Sequence, residues 1–492
     1  MRASRRRAGC TDALAAAPHC PDIPLSSAPV SIPVSPVVRP SACPGLVRVV
    51  AAADGGLCRI KLPGGRLDAR QARAIAAAAR TYGSGAIDAT NRANLQLRGI
   101  RDGAADPLAG ALLAAGLGPR MSADGAADDK GRAALAASDD VRNLMLSPLA
   151  GRDPHALLDS HALALPLLDM LAREPRRGEL SPKFSIQLDG GEAVAALDHP
   201  HDIWLAAWRR GDGAVRVAAG LAGCPPIAPG DSPAAFDVAP DQAVALVRAL
   251  LLAFLDLAPA DITRMRGLLA TVAERALREH AQHYVPFALD ADPALAGWRR
   301  MHADSALRSG ARPSLDADRC SVGAQFVLGR LDAAQLERLA ALAEAEGDGT
   351  LSMTPWQGIF VHGVRHERGP AVLDALASLG LVCTPSDPLA ALVACTGSTG
   401  CAKSRADTKR DALALAARVG RPLDVHLTGC ERHCALPHPA THTLVAVAPA
   451  TYDLYRRDAA TGLGAPLARH LTIDQAAARL TDARHSQDTT DA

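Results

Sequence analysis

The sequence predicts an α+β chain in which two half-domains, related by an internal repeat, are each followed by a longer α/β module. Three observations carry this prediction. A five-residue string recurs at a fixed offset, the same order of strand, helix and strand surrounds each copy, and four cysteines in two close pairs mark the last module.

The repeat sets the order of elements. Gly65-Arg66-Leu67-Asp68-Ala69 returns as Gly329-Arg330-Leu331-Asp332-Ala333, with Asp68 and Asp332 264 positions apart. At that offset Thr90 meets Thr354, Leu97 meets Val361 and Gly99 meets Gly363. An apolar strand precedes each string, at Cys58 to Leu62 and at Gln325 to Leu328. A helix follows, at Ala69 to Tyr82 and at Ala333 to Ala345, opened by Asp68 or Asp332 as the capping residue. A strand then runs up to a glycine, from Ile87 to Leu97 and from Leu351 to His362. Units of this kind can pair about a pseudo-twofold axis.

The stretches between and after the repeats are longer and mixed. The first runs from about Ser138 to Leu289, with strands at Phe184 to Leu188 and Ala214 to Ala219. The second runs from about Asp387 to Ile473. Pro/Gly-rich segments at Ala222 to Ser232 and Arg308 to Leu315 read as loops. The expected division is a tail at 1–40, a half-domain at 41–130, a module at 138–290, a half-domain at 315–386 and a module at 387–480. The tail, with Arg2, Arg5, Arg6 and Arg7 before a Pro/Ser-rich stretch, reads as disordered or as residues upstream of the true start; its prolines break any apolar helix of the kind a secretory signal needs.

Composition excludes some classes. Hydrophobic residues make up 48% and charged residues 21%, as in globular proteins generally. A formal net charge of +1 gives no bulk attraction to nucleic acid or to an anionic membrane. The longest apolar run, Ala243 to Ala258, is interrupted by Arg248 and Asp256 and is too short to span a bilayer. Eleven cysteines without a signal peptide point to a reducing, cytoplasmic setting and to metal ligation in place of disulfides. Cys58, Cys224, Cys320 and Cys383 are isolated and read as small buried hydrophobes.

Cys395-Thr-Gly-Ser-Thr-Gly-Cys401 places two thiols in a glycine-rich loop, before a helix at Arg405 to Val419. Leu423 to Leu427 reads as a strand that runs into Thr428-Gly-Cys430-Glu-Arg-His-Cys434. Four thiolates suit a [4Fe–4S] cluster, because soft sulfur matches the cluster irons. A four-cysteine zinc site is the alternative, but zinc pairs are usually spaced two to four residues apart.

With these motifs the chain resembles the sulfite/nitrite reductase superfamily, over roughly Ala42 to Ile473. The resemblance implies ferredoxin-like half-domains, each followed by a sulfite-reductase-like α/β Fe–S module. Thr90-Asn-Arg92-Ala-Asn-Leu-Gln96 is similar to the reductases' T-x-R-Q-x-x-Q motif, with Ala93 in place of its first Gln. Arg142-Asn143 resembles their R-N motif. Pro182-Lys183-Phe184-Ser185 resembles P-R-K-F-K, with Ser185 in place of the second lysine. Carried over, Arg92, Gln96, Arg142 and Lys183 are substrate-binding candidates. With one positive charge lost, the set is a weaker trap for a small dianion, yet it suits the carboxylates of a larger ligand.

Two further strings point to one branch. Ser41-Ala-Cys43-Pro-Gly-Leu46 resembles the A-C-P-G-L opening of the precorrin-3B synthases, and Thr354-Pro-Trp356 resembles their T-P-W segment. That branch implies an O2-dependent monooxygenase that hydroxylates precorrin-3A at C20 with γ-lactone formation, in cobalamin biosynthesis. It implies a [4Fe–4S] cluster and a mononuclear non-haem iron, without sirohaem. A separate reductase or ferredoxin is the expected electron donor, since no nucleotide-binding G-x-G-x-x-G follows a strand here. The competing expectation is a sirohaem-dependent sulfite or nitrite reductase. For the second iron, His362, His366, His426, His433, His438 and His442, with Asp88 or Glu431, are all candidates, and the sequence does not choose among them. Trp356 reads as a core or pocket-wall residue.

Overall fold

The computed structural model describes residues 43–119, 129–436, 438–458 and 462–485. The expected tail at 1–40 and the Ser41-Ala42 part of the opening motif lie outside the described residues. The first half-domain holds β1 (Val50–Ala52), β2 (Gly55–Ile60), β3 (Arg66–Asp68), α1 (Ala69–Tyr82), β4 (Ala86–Ala89), β5 (Leu95–Ile100) and α2 (Ala105–Ala114). The next module holds α3 (Asp129–Asp140), β6 (Leu144–Met145), α4 (Ser160–Arg173), β7 (Ile186–Asp189), β8 (His201–Arg209), β9 (Val215–Gly223), β10 (Phe236–Val238), α5 (Ala243–Leu257), α6 (Met265–Leu269) and α7 (Glu274–Ala281). The second half-domain follows, with β11 (Gly310–Pro313), β12 (Arg319–Gln325), β13 (Arg330–Asp332), α8 (Ala333–Glu346), β14 (Thr350–Met353), β15 (Gly358–Arg365) and α9 (Gly369–Ser378). The last module holds β16 (Leu392–Ala394), α10 (Thr408–Val419), β17 (Val425–Thr428), β18 (His442–Ala448), β19 (Thr451–Arg456), β20 (Pro466–Leu471) and α11 (Ile473–His485).

The repeat is a physical symmetry. Each repeated helix opens with a complete capping box: Asp68 accepts from the Gln71 N–H and Asp332 from the Gln335 N–H, and each glutamine side chain reaches back to the Asp backbone. The glycine of the repeated string is needed at both copies. Gly65 and Gly329 have φ of +74° and +69°, and a Cβ at Gly65 would strike the Met353 carbonyl.

The two copies exchange strands. β13, from the second half-domain, pairs with β4 of the first, in register Leu331↔Ile87. β3 pairs reciprocally with β14, in register Leu67↔Leu351. The two sheets run β1-β2-β5-β4-β13 and β11-β12-β15-β14-β3. Helices α1 and α8 pack against each other, flanked by Arg73–Glu344 and Arg80–Glu337 ion pairs. Ile75, Leu97, Leu336 and Val361 belong to one buried core that both half-domains share.

The two modules also match each other. In each, three strands run parallel and two further strands close the sheet antiparallel, as β6-β7-β8-β9-β10 and β16-β17-β18-β19-β20. Each has its own buried core, around α5 in the first and around α10 and α11 in the second. Helix α5, the apolar run of the sequence, is the buried helix of its module.

Three expectations need correction. The strand expected at Gln325 to Leu328 lies earlier, as β12, because Leu328 has φ of +50° in a tight turn at Val327–Gly329. The segments 87–97 and 351–362 are not single strands; each is a hairpin, turning at Ala93 (φ 55°) and at Gln357 (φ 60°), which are equivalent in the repeat. The loop expected at Arg308 to Leu315 contains β11, an edge strand paired with β12, so the second half-domain begins before residue 315.

Candidate functional site

The four cysteines leave the carboxyl ends of adjacent parallel strands. β16 and β17 run side by side with Ala394 opposite Leu427, so Cys395 and the Gly429–Cys430 turn emerge together. This is where ligands bind in open parallel sheets. Gly429 donates its N–H to Cys395 Sγ at 3.3 Å, and Thr408 Oγ1 stands 3.4 Å from the same sulfur. Thr408 is the first residue of α10, so the positive end of that helix adjoins Cys395. A Cβ on Gly429 would collide with Ser404. The return loop to Cys434 passes through His433 at φ 49°.

Burial raises the Cys434 thiol, and the neighbouring thiols of Cys430, Cys395 and Cys401 raise it further. The four sulfurs thus share one locus. No three of them lie within 4.8 Å of one another. Among the described residues, the set of three or more metal-binding side chains with ligand atoms within 4.8 Å of one another lies elsewhere and contains no cysteine. One tetrahedral zinc, with Zn–S bonds of about 2.3 Å, would draw its sulfurs to about 3.8 Å. The donor set therefore fits a multi-iron cluster better than a single ion.

The first half-domain clamps these loops. Asn91 donates to the Cys434 carbonyl at 3.3 Å, Arg98 to the Gly400 carbonyl at 2.6 Å, and Thr396 to Asp88 at 3.3 Å. Asp88 also accepts from Arg330 at 2.6 Å and Arg98 at 3.3 Å. Burial pushes its carboxyl up, but Lys409, Arg330 and Arg98 together hold it below the usual range. Asp88 is committed to this network, and Glu431 to an ion pair with Arg405 at 2.6 Å. Of the other iron candidates, His362 is buried between Ser321 and Ser352, both at 2.8 Å. His426 is buried with Nε2 unpartnered and its ring tilted against His433.

The basic candidates separate. Gln96 borders a cavity of about 150 Å3, together with Arg59, Lys409, Cys395 and Cys434. With its amide oxygen turned inward, Gln96 accepts from Arg59 at 2.8 and 3.1 Å. Arg92 shares a small cleft with Ser185 and His201. Burial depresses Arg92 to about 10, helped by Arg264 and Arg59, so it stays charged at neutral pH. Its hydrogen bond to the Lys183 carbonyl, 3.4 Å, neutralises nothing. The Lys183 side chain is exposed, and its backbone is what supports Arg92. Arg142 is tied down by the Leu117 carbonyl at 3.0 Å and by Asp139 at 3.4 Å. The structure thus sets Gln96 against the cysteine loops, places Arg92 in a separate cleft with Ser185 and His201, and leaves the Lys183 and Arg142 side chains outside both. Ser185 is buried with its Oγ unpartnered.

Sequence reasoning missed Arg59, which is placed by its register opposite Gln96 across β2 and β5. It also missed a cavity of about 500 Å3, walled by Asp198, His199, Arg308, Trp356, Gln357 and His438. The sequence singles out Trp356 and His438 separately; the Asp198-His199-Pro200-His201 string is a further signal that sequence reasoning left unread. This cavity shares Gln357 and Ala435 with the smaller one beside the cysteines. Trp356 is a wall residue, with Arg308 stacked 4.8 Å over its ring.

Paired half-domains that exchange strands, with a four-cysteine module clamped by one of them, define a class. Family models match the nitrite/sulfite reductase ferredoxin-like half domain at residues 51–115 and 312–379, and the nitrite and sulphite reductase 4Fe-4S domain at 137–288. The chain belongs to the nitrite/sulfite reductase superfamily, an iron–sulfur group. The second match falls on the first module, whose one cysteine is Cys224; the clustered cysteines lie in the other module. Among individual proteins, the chain is 29% identical over 449 residues to a precorrin-3B synthase of Sinorhizobium sp, covering 90% of this chain and 88% of that one. It is 29% identical over 400 residues to the chloroplastic ferredoxin–nitrite reductase of Zea mays, covering 77% of this chain and 67% of that one. The structure of Mycobacterium tuberculosis NirA protein shares the fold, with a TM-score of 0.70 at 19% identity, over 87% of this chain and 79% of that one. Among the described residues no helix is long and apolar enough to cross a membrane.

Proposed function

We propose that this chain is an iron–sulfur monooxygenase of the precorrin-3B synthase kind, which hydroxylates precorrin-3A at C20 with O2 and closes a γ-lactone from a ring-A acetate. The observation that carries this reading is the large cavity beside the cysteine loops. Three of its wall residues bury a polar atom with no protein partner: His199 Nε2, Trp356 Nε1 and Gln357 Oε1. Each such atom costs about 1–3 kcal/mol unless a ligand pairs with it. The cavity therefore suits a large ligand with polar groups at several points. Its volume lies within the usual range for small-molecule sites.

Cys395, Cys401, Cys430 and Cys434 are the proposed ligands of one [4Fe–4S] cluster, which when bound supplies electrons one at a time. The chain's own residues do the rest. Arg59 and Arg92 are largely desolvated cations without a carboxylate bonded to them among the described residues, and each can grip a ligand carboxylate in bidentate fashion. Gln96 orients Arg59 by accepting from two of its nitrogens. Trp356 and Leu436 give the cavity an apolar wall that limits water near the reacting carbon. In the overall reaction one oxygen atom enters the substrate and the other leaves as water, with two electrons and two protons taken up. An external donor, a reductase or a ferredoxin, supplies the electrons in the cytoplasm.

The test is anaerobic purification, then incubation with precorrin-3A, a donor and isotopically labelled O2. The product is expected to carry one labelled oxygen; a product without added oxygen overturns the reading. The second reading, a sirohaem-dependent sulfite or nitrite reductase, is favoured by the similarity to the Zea mays enzyme and by Arg59 and Arg92, which have no carboxylate bonded to them among the described residues and would also attract a small oxyanion. Haem bands in the visible spectrum of the purified protein would select it.

A further inference from the structure

We propose that Asp198, His199 and His438 form the binding site of one divalent iron ion, distinct from the four cysteines. The site rests on geometry; only the choice of iron and its purpose rest on the functional reading above. Among the described residues these three offer ligand atoms within 4.8 Å of one another. Asp198 Oδ1 lies 2.8 Å from His199 Nδ1, and Asp198 Oδ2 lies 3.1 Å from His438 Nε2. Neighbouring ligand atoms of an octahedral ion with bonds of about 2.1 Å are about 3.0 Å apart. The two contacts use different oxygens of Asp198, so its carboxylate would chelate the ion or turn one oxygen toward it, and the three ligand atoms stand close enough for one ion to draw them in. Two histidines and a carboxylate that leave positions open are the donor set of non-haem iron(II) oxygenases.

The scaffold holds the three in place. Asp198 and His199 end the connection from β7 to β8, and that connection is pinned at three points. Ser147 donates to the Val194 carbonyl at 2.6 Å, Gln187 to the Ala196 carbonyl at 2.8 Å, and Ala193 N–H to Asp153 at 2.8 Å. His438 comes from the other module, four positions after Cys434, and its ring meets His199 edge-on at 5.5 Å. Four residues reach at most about 14 Å, so a cluster held by Cys434 is a near neighbour of this site. His199 is 6% exposed and its Nε2 has no protein partner. All three residues line the large cavity, so open coordination positions would face whatever binds there. Arg308 stands 3.8 Å from Asp198 Oδ2 and is the competing cation.

The test uses full-length protein with its cluster reconstituted anaerobically. It is freed of loose metal, then titrated with Fe(II) by calorimetry and with Co(II) by visible absorption. The expected result is one tightly bound ion per chain beyond the cluster. Asp198→Asn and His438→Ala should weaken that binding by at least about 100-fold while cluster absorbance persists. His438→Gln keeps a donor for Asp198 and serves as the conservative variant; it too should lose the ion. His283→Ala, an exposed histidine of the first module, should bind as the unaltered protein does. No extra ion in the unaltered protein, or equal binding in His438→Gln, overturns the site. An ion bound here without oxygen added to precorrin-3A would support the site and retire the monooxygenase. Oxygen added by a protein whose metal content ignores His438 would do the reverse.

Discussion

Arg92 and Arg142 carry the same charge and stand in neighbouring motifs, yet their surroundings give them different work. Arg142 is tied to Asp139 and to the end of the first half-domain. Arg92 is largely desolvated beside other cations, with only a carbonyl to bond. Arg92→Met should therefore weaken tetrapyrrole binding about ten-fold or more in an absorbance titration, with little change in melting temperature. Arg142→Met should leave binding intact and cost about 1–3 kcal/mol in a denaturant titration, because the buried Asp139 loses one partner while keeping Lys61 and the Leu46 N–H. The opposite pattern would reverse the two assignments. Glu192 gives a pH dependence. Burial, with Asp189 beside it, raises its carboxyl from 4.5 to about 8. The folded chain then holds a proton that the unfolded chain releases, so stability falls as pH rises from about 4.5 to about 8. Glu192→Gln should flatten that decline in melting temperature against pH; an unchanged slope would show that the group is not protonated in the fold.

At the scale of elements, the exchanged strands β3 and β13 matter most. Each is three residues long, and each completes the sheet of the other half-domain. Leu331 is 1% exposed and sits across from Ile87. Leu331→Ala should lower stability by about 2–5 kcal/mol, read from the denaturant midpoint. A loss below about 1 kcal/mol would mean that the exchanged strand adds little. The helices that follow these strands were legible in the sequence, because a capping box is local: Asp68 and Gln71, or Asp332 and Gln335, lie within one turn. The strands were not legible as strands. Gly-Arg-Leu-Asp is too short for period-two alternation to show, and its partner lies in the other repeat. The hairpins at Ala93 and Gln357 were hidden for a related reason, since neither residue advertises a positive φ as glycine would.

At the scale of the molecule, the half-domains are one folding unit. They share a core, and each lacks a sheet edge without the other. Residues 43–300 expressed alone should leave one edge of β4 unpaired, and residues 301–485 should leave one edge of β14 unpaired, so each should aggregate or associate. Co-expression should restore soluble protein; a monomeric, cooperatively melting half would contradict the shared-core account. The sequence by itself determined the α+β class, the repeat with its caps and the pairing of four cysteines, because each depends on neighbours within a turn or on a fixed spacing. Tertiary structure alone decided that Arg59 rather than Arg142 joins Gln96. It also alone decided that Asp198 and His199 of the first module meet His438 of the second. Those contacts join segments far apart along the chain, and only the packing of the sheets brings them within bonding distance.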